Sequence, residues 1–191
     1  MFWSDRANYG RTSPPENLVI KWTLIVAGVL VAVVLLVVIT GALLPRNHVV
    51  RTTTVIRGTP DDVWRTIADV ASAPSWREVK TVEMLSRNGG PLRWREVSKF
   101  GPIMYEQVEA VPAQRFVSRI ADTDQGFGGT WSFALAPDTG GTRVTITEDG
   151  FVSNPLFRFM SRFVFGYYGT QEAYLRALGK KYGQEVAVSR L

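Results

Sequence analysis

The feature that most constrains this chain is a run of 23 residues, 22–44, without a single charge. As a helix rising 1.5 Å per residue, such a run spans ~34 Å, slightly more than the ~30 Å hydrocarbon layer of a bilayer. Its valine-rich composition favours a strand in water. In lipid, however, a lone strand leaves its backbone groups unpaired, whereas a helix satisfies them internally. Lys21 and Trp22 at one end, and Pro45 and Arg46 at the other, suit interfacial anchors and a helix stop. The apolar run is longer than a signal-peptide core, and a polar leader containing Pro14-Pro15 precedes it. We therefore read a retained, single-pass transmembrane helix, with cleavage near Thr40-Gly41-Ala42 as the competing reading. Arg6, Arg11 and Lys21 before the span balance Arg46, Arg51 and Arg57 after it, so the side on which the rest of the chain lies is undecided.

About 145 residues remain, enough for one domain with a core of its own. The organisation expected is a polar N-terminal tail (1–21), the transmembrane helix (22–44), a juxtamembrane linker (45–48), one folded domain (49–183) and a C-terminal tail (184–191). With no cysteine and one histidine in the chain, thiolate metal sites, disulfides, thiol nucleophiles and multi-histidine metal centres are all excluded. No metal and no cofactor is expected. The formal charge of +5 is spread among acidic residues rather than gathered in a patch, which argues against a nucleic-acid partner.

Residues 49–57 (VVRTTTVIR) are β-branched and read as a strand ended by Gly58. Thr59, Pro60 and Asp62 then form a helix start signal ahead of Val63, Trp64 and Ile67. Residues 71–76, with Pro74, break that helix into a second short turn or helix. From Val79 onward, turn signals at 88–91, 101–102, 112, 126–129 and 137–141 leave room for six antiparallel strands. Trp131, Phe133 and Leu135, like Val144 and Ile146, alternate with polar or small residues, so one face of the sheet is apolar. A long helix is expected from Asn154-Pro155 to about Tyr182, with Leu156, Met160, Phe163, Tyr167, Tyr174 and Leu178 on one stripe. Phe157, Phe159, Val164, Phe165 and Tyr168 widen this stripe. A thick aromatic core is the plain reading of that excess, and a face turned to a cavity or to lipid is the other.

This order of elements resembles the START-type helix-grip fold of the SRPBCC superfamily, in particular its polyketide cyclase/dehydrase and lipid-transport branch. The residues carrying the likeness are 59–64 (TPDDVW), Pro74-Ser75-Trp76, 111–116 (VPAQRF), Trp131-Ser132-Phe133, 141–146 (GTRVTI) and the Pro155-initiated helix ending near Leu178-Gly179-Lys180. The resemblance implies an α+β fold of order β-α-α-β6-α: a curved antiparallel sheet wrapped around a long C-terminal helix, here preceded by one transmembrane helix. It also implies a hydrophobic cavity between sheet and helix, in a family that contains both carriers and enzymes.

Trp76, Trp94, Trp131, Phe133 and Phe163 are the candidate cavity-lining residues. The strong alternation around Trp131 marks it as core. Trp94, among charged neighbours and on the same face as Glu96, reads equally as a cavity wall or as a plain core tryptophan, two readings that merge in a fold with a cavity, and the wall is the one taken forward. Glu96, Glu148 and Tyr105 are the weaker candidates for acid–base work. Glu148 continues the inward period of its strand, but residues 148–150 (EDG) also read as a solvated turn, and the turn is the expectation. The face of Tyr105 is open, because residues 103–108 alternate poorly. His48 is expected to be interfacial and solvated.

The function expected is that of a membrane-anchored binding or transfer protein for a hydrophobic small molecule such as a lipid, quinone or polyketide-like compound. Its expected partners are that ligand and the lipid bilayer, and its oligomeric state is open. The alternatives are a cyclase/dehydratase-like enzyme using pocket carboxylates and a protein-interaction domain.

Overall fold

The computed structural model describes residues 16–85, 89–99, 101–122 and 125–191. All of the charge-free run except its last residue, Leu44, lies within one helix, α1 (Glu16–Leu43). Its apolar part, Asn17–Leu43, is 27 residues, long and apolar enough to cross a membrane. It is apolar all round, and nearly every side chain from Leu18 to Ile39 is exposed.

Only Leu44, Pro45 and Arg46 separate α1 from β1 (Asn47–Ile56), so the linker is shorter than expected. Helix α2 (Pro60–Ala68) begins as its start signal predicts. The Thr59 hydroxyl accepts from the Asp62 amide at 3.2 Å and donates to the Asp62 carboxylate at 2.7 Å, while Pro60 occupies the first turn. Val63 and Ile67 are its buried stripe. A 3₁₀ turn (Val70–Ser75) carrying Pro74 follows.

Six strands come next: β2 (Thr81–Leu85), β3 (Arg93–Ser98), β4 (Gly101–Val111), β5 (Arg115–Ile120), β6 (Phe127–Asp138) and β7 (Gly141–Val152). The sheet is antiparallel throughout, in the order β2-β3-β4-β5-β6-β7-β1-β8. The pairing of β1 with β7, Asn47 opposite Phe151 and Ile56 opposite Thr142, brings the exit of α1 beside the end of β7.

The eighth strand corrects the expectation of a C-terminal tail. Residues 184–191 fold back along β1, and β8 (Ser189–Arg190) pairs with Thr52 and Thr53. Thr54 Oγ1 donates to the Ala187 carbonyl at 2.7 Å, and Gln184 Oε1 accepts from Arg57. Val186 and Val188 pack against the core. Arg190 Nε donates to Glu172 at 2.7 Å.

The expected single C-terminal helix is divided. It consists of α3 (Pro155–Met160), capped by Asn154, then one π turn (Ser161–Phe165), and then α4 (Gly169–Lys181). Gly166 makes the break, at a φ of +71° that a side chain disfavours. Helix α4 does the gripping, burying Gln171, Leu175 and Leu178 at helical spacing against the sheet. Helix α3 packs on α1 instead. Gly41 permits the approach, since a Cβ there would stand 1.9 Å from the Pro155 carbonyl oxygen. Arg158, almost wholly buried, donates through Nη1 to the carbonyls of Leu44 (2.7 Å) and Ala42 (3.4 Å) at the end of α1. These acceptors have no following helical turn to pair with, so the arginine caps the helix.

Candidate functional site

The interior between sheet and α4 is a continuous set of rings. Trp94, only 2% exposed, stacks on Tyr105 (centroids 5.6 Å apart) and leans on Phe116. Phe133 bridges Phe116, Trp131 and Tyr174, and Tyr174 meets the edges of Trp76 and Trp131. Four of the five expected lining residues, Trp76, Trp94, Trp131 and Phe133, are thus gathered together. Phe163 is not. It sits on the π turn, 59% exposed, because the helix that was to carry it inward is broken at Gly166.

The relative depth of the tryptophans also reverses expectation, with Trp94 buried and Trp131 half-buried. Tyr105 faces inward. The poor alternation on its strand comes from an irregularity between Gln107 and Glu109, which turns Val108 out to solvent. The rings touch one another, and two surface depressions lie outside this interior. One, of about 470 Å³, is on the flank of α1 around Trp22; the other, of about 310 Å³, lies where residues 184–187 meet β1.

Polar groups are set into this apolar interior. Glu96 is held by Arg77 through both carboxylate oxygens (3.0 and 2.5 Å) and accepts from Trp94 Nε1 at 3.0 Å. Burial alone would lower Arg77, but its interactions with Tyr174, once that phenol ionises, and with the Glu96 carboxylate outweigh it, and the guanidinium stays charged. Arg77 also lies 5.2 Å from the Tyr174 ring centroid. Burial raises the Tyr105 and Tyr174 phenols well above their ordinary value, so both are neutral hydrogen-bond donors at any physiological pH. Neither hydroxyl bonds to another described residue. Trp76 Nε1 and Arg77 Nε are buried and, among the described residues, have no hydrogen-bond partner.

A second polar group lies at the end of the interior nearest α1. The expectation of a solvated turn at Glu148 is corrected, because β7 runs on to Val152 and the inward period reaches Glu148. His48, expected in solvent, is the second residue of β1 and only half-exposed. Its ring stacks on Tyr167 at 4.2 Å, and its Nε2 lies 3.4 Å from Glu148 Oε1. Fully buried Gln171 supports the pair. Its amide nitrogen is 3.5 Å from Glu148 Oε2 and 3.3 Å from the Val50 carbonyl, and its oxygen accepts from Thr52 at 2.8 Å. Arg77, Gln171 and Tyr174 were missed in the sequence. Tyr174 was legible as part of the apolar stripe but not as a polar group, and Gln171, three residues before it on the same face of α4, shows its inward place only once the true start of α4 is known. Among the described residues no group of three or more His, Asp or Glu side chains gathers to hold a metal.

This interior has a counterpart in known families. Residues 47–180 match the family model described as polyketide cyclase / dehydrase and lipid transport. The chain belongs to this family. The match begins at β1 and ends in α4, so α1 is an addition to the family's unit.

Solved structures agree on the fold. The di-domain ARO/CYC StfQ of the steffimycin biosynthetic pathway superposes with a TM-score of 0.59 at 13% identity, over 72% of this chain and 51% of that one. This chain therefore spans about half the length of that protein. The Zhui aromatase/cyclase from Streptomyces sp. R1128 gives 0.57 at 15% identity, over 72% of this chain and 94% of that one. A START superfamily protein from Mycobacterium smegmatis gives 0.56 at 15% identity, over 73% and 98%. A search of curated protein sequences finds no match. The family, by its description, is one of polyketide cyclases/dehydrases and lipid-transport proteins, and the solved structures support its fold.

Proposed function

We propose that this chain is a membrane-anchored protein that binds a hydrophobic small molecule with at least one hydrogen-bond acceptor, such as a quinone or polyketide-like compound, between the sheet and α4. The observation that carries the reading is a pair of buried donors, Trp76 Nε1 and Arg77 Nε, without partners among the described residues, set among stacked rings beside the Tyr105 and Tyr174 phenols. A buried donor without a partner costs free energy, so an interior serving packing alone is better made of Phe and Leu. Ring faces supply apolar contact to a flat ligand, and the donors meet its oxygens. Half-buried Trp76, Tyr105, Trp131 and Tyr174 are the walls that move to admit it. Helix α1 retains the domain at the bilayer, where apolar ligands concentrate.

The test is titration of the detergent-solubilised full chain with a naphthoquinone, followed by quenching of the interior tryptophans. Tyr105→Phe and Tyr174→Phe are each expected to weaken binding about five-fold, the ~1 kcal/mol of one hydrogen bond, while leaving stability unchanged. Saturable quenching that ignores both substitutions would count against this site.

One observation favours a second reading, in which the chain is a cyclase/dehydratase-like enzyme. The His48–Glu148 pair joins two groups able to exchange a proton, at the end of the ring-lined interior. Glu96 does not serve that reading, because Arg77 occupies both of its oxygens.

A further inference from the structure

Between Asp149 and Glu172 the chain has no acidic residue, yet residues 151–171 hold five of its ten phenylalanines and two arginines. The structure places that composition in an unusual position. Leu156 and Phe157 on α3 are 46% and 54% exposed, and Phe163, Val164 and Phe165 on the π turn are 59%, 58% and 68% exposed. These form a run of large apolar side chains facing away from the protein's own core, which a monomer in water leaves uncovered at a cost.

The patch is fixed beside the last turn of α1. Gly41 lies against Pro155, and Arg158 ties α3 to the carbonyls of Ala42 and Leu44. Where α1 ends its crossing, α3 and the π turn therefore begin, at the same depth. The only charged side chain of α3 is Arg158, which is spent on that tie, and Arg162 on the turn carries the sign that anionic headgroups attract.

We propose that α3 and the π turn are a second membrane element, an interfacial foot whose Leu156, Phe157, Phe163, Val164 and Phe165 enter the headgroup and upper acyl layer of the leaflet where α1 ends. The proposal rests on the membrane-anchored reading above and adds an attitude to it. A single span leaves the domain free to swing, whereas a span plus a foot fixes which end of the sheet meets the lipid. That end carries Asn47 of β1, the end of β7, and the His48–Glu148–Tyr167 cluster. The β6–β7 turn at Thr139 lies at the opposite end, about 30 Å away along ten-residue β1. An apolar ligand would then leave the bilayer directly at the lipid-facing end of the ring-lined interior, beside Tyr167 and the start of α4.

Because the chain has no cysteine, a single introduced one takes a spin label uniquely. Full-length Phe163→Cys, Phe165→Cys, Leu35→Cys and Thr139→Cys are each labelled and reconstituted into vesicles of equal parts phosphatidylcholine and phosphatidylglycerol. Collision with oxygen, which enters lipid, is compared with collision with a water-soluble nickel complex. All four positions are exposed, so labelling leaves the packing in place. The expected result is that the labels at 163 and 165 favour oxygen severalfold over the label at 139, and less strongly than the label at 35. If 163 and 165 behave like 139 while 35 favours oxygen, the foot is wrong and the anchor stands. If 35 also reads as aqueous, both are wrong. Labels at 163 and 165 shielded from both reagents and broadened by spin–spin coupling would show a second copy covering the patch, which also overturns the foot.

Discussion

Glu96 and Arg77 are bound to each other in an interior that otherwise consists of rings, and their energetics follow from that setting. Removing one charge strands the other where solvation is poor. Glu96→Gln is therefore expected to lower unfolding free energy by roughly 3 kcal/mol in urea titrations, and the double change Arg77→Met/Glu96→Leu to restore much of it. Trp94→Ala is expected to cost ~3–5 kcal/mol, more than Trp131→Ala, because Trp94 is the buried member of the two and gives its N–H to Glu96. Period-two alternation told that Trp94 and Glu96 share a face. Depth was not legible, since it depends on what α4 and the turn carrying Trp76 place over each position. His48 and Glu148 were misjudged for a related reason, as strand ends are set by pairing across β1 and β7 rather than by the local turn signal at Asp149-Gly150.

At the scale of elements, the carboxylates on the outer face set the acid limit. Hydrogen bonds from Arg93 and Arg119 hold Glu106 below its ordinary range, and those from Arg190 and Arg176 do the same for Glu172, which ties β8 to α4. A folded value below the unfolded one means stability that is present above about pH 4 and lost as pH falls through the depressed values. The melting temperature is expected to fall on acidification below that point, and Glu172→Gln to remove part of the dependence. The tyrosines act in the opposite sense. Their raised values stabilise below about pH 10, and that contribution is lost as pH rises further.

The division of the last helix was hidden because Phe163, Tyr167 and Tyr174 keep an apparent helical stripe through Gly166, and only the φ of that glycine separates them. The joint between α1 and α3 was equally hidden, being a close approach of two segments more than a hundred residues apart. It makes its own prediction. Gly41→Val, which drives a side chain into Pro155, or Arg158→Gln, which removes the cap, is expected to speed tryptic cleavage at exposed Arg46 severalfold in proteoliposomes.

At the scale of the whole molecule, a family domain is welded to an apolar helix by three linker residues, a glycine contact and an arginine cap. The fold was legible because start signals, turn spacing and alternation all pointed to one topology. The site was legible only as a set of inward aromatics, since the polar groups set among them, on Trp76 and Arg77, Tyr105 and Tyr174, meet from three separate parts of the chain. In the function proposed above, these polar groups and rings hold an apolar molecule. Its most direct test is native mass spectrometry of the full chain, released gently from the membranes in which it was made. The expected spectrum contains a species heavier by one non-covalently bound apolar molecule, whose share falls in the Tyr105→Phe/Tyr174→Phe variant; a spectrum of the bare chain alone, or an adduct indifferent to that variant, would overturn the proposal.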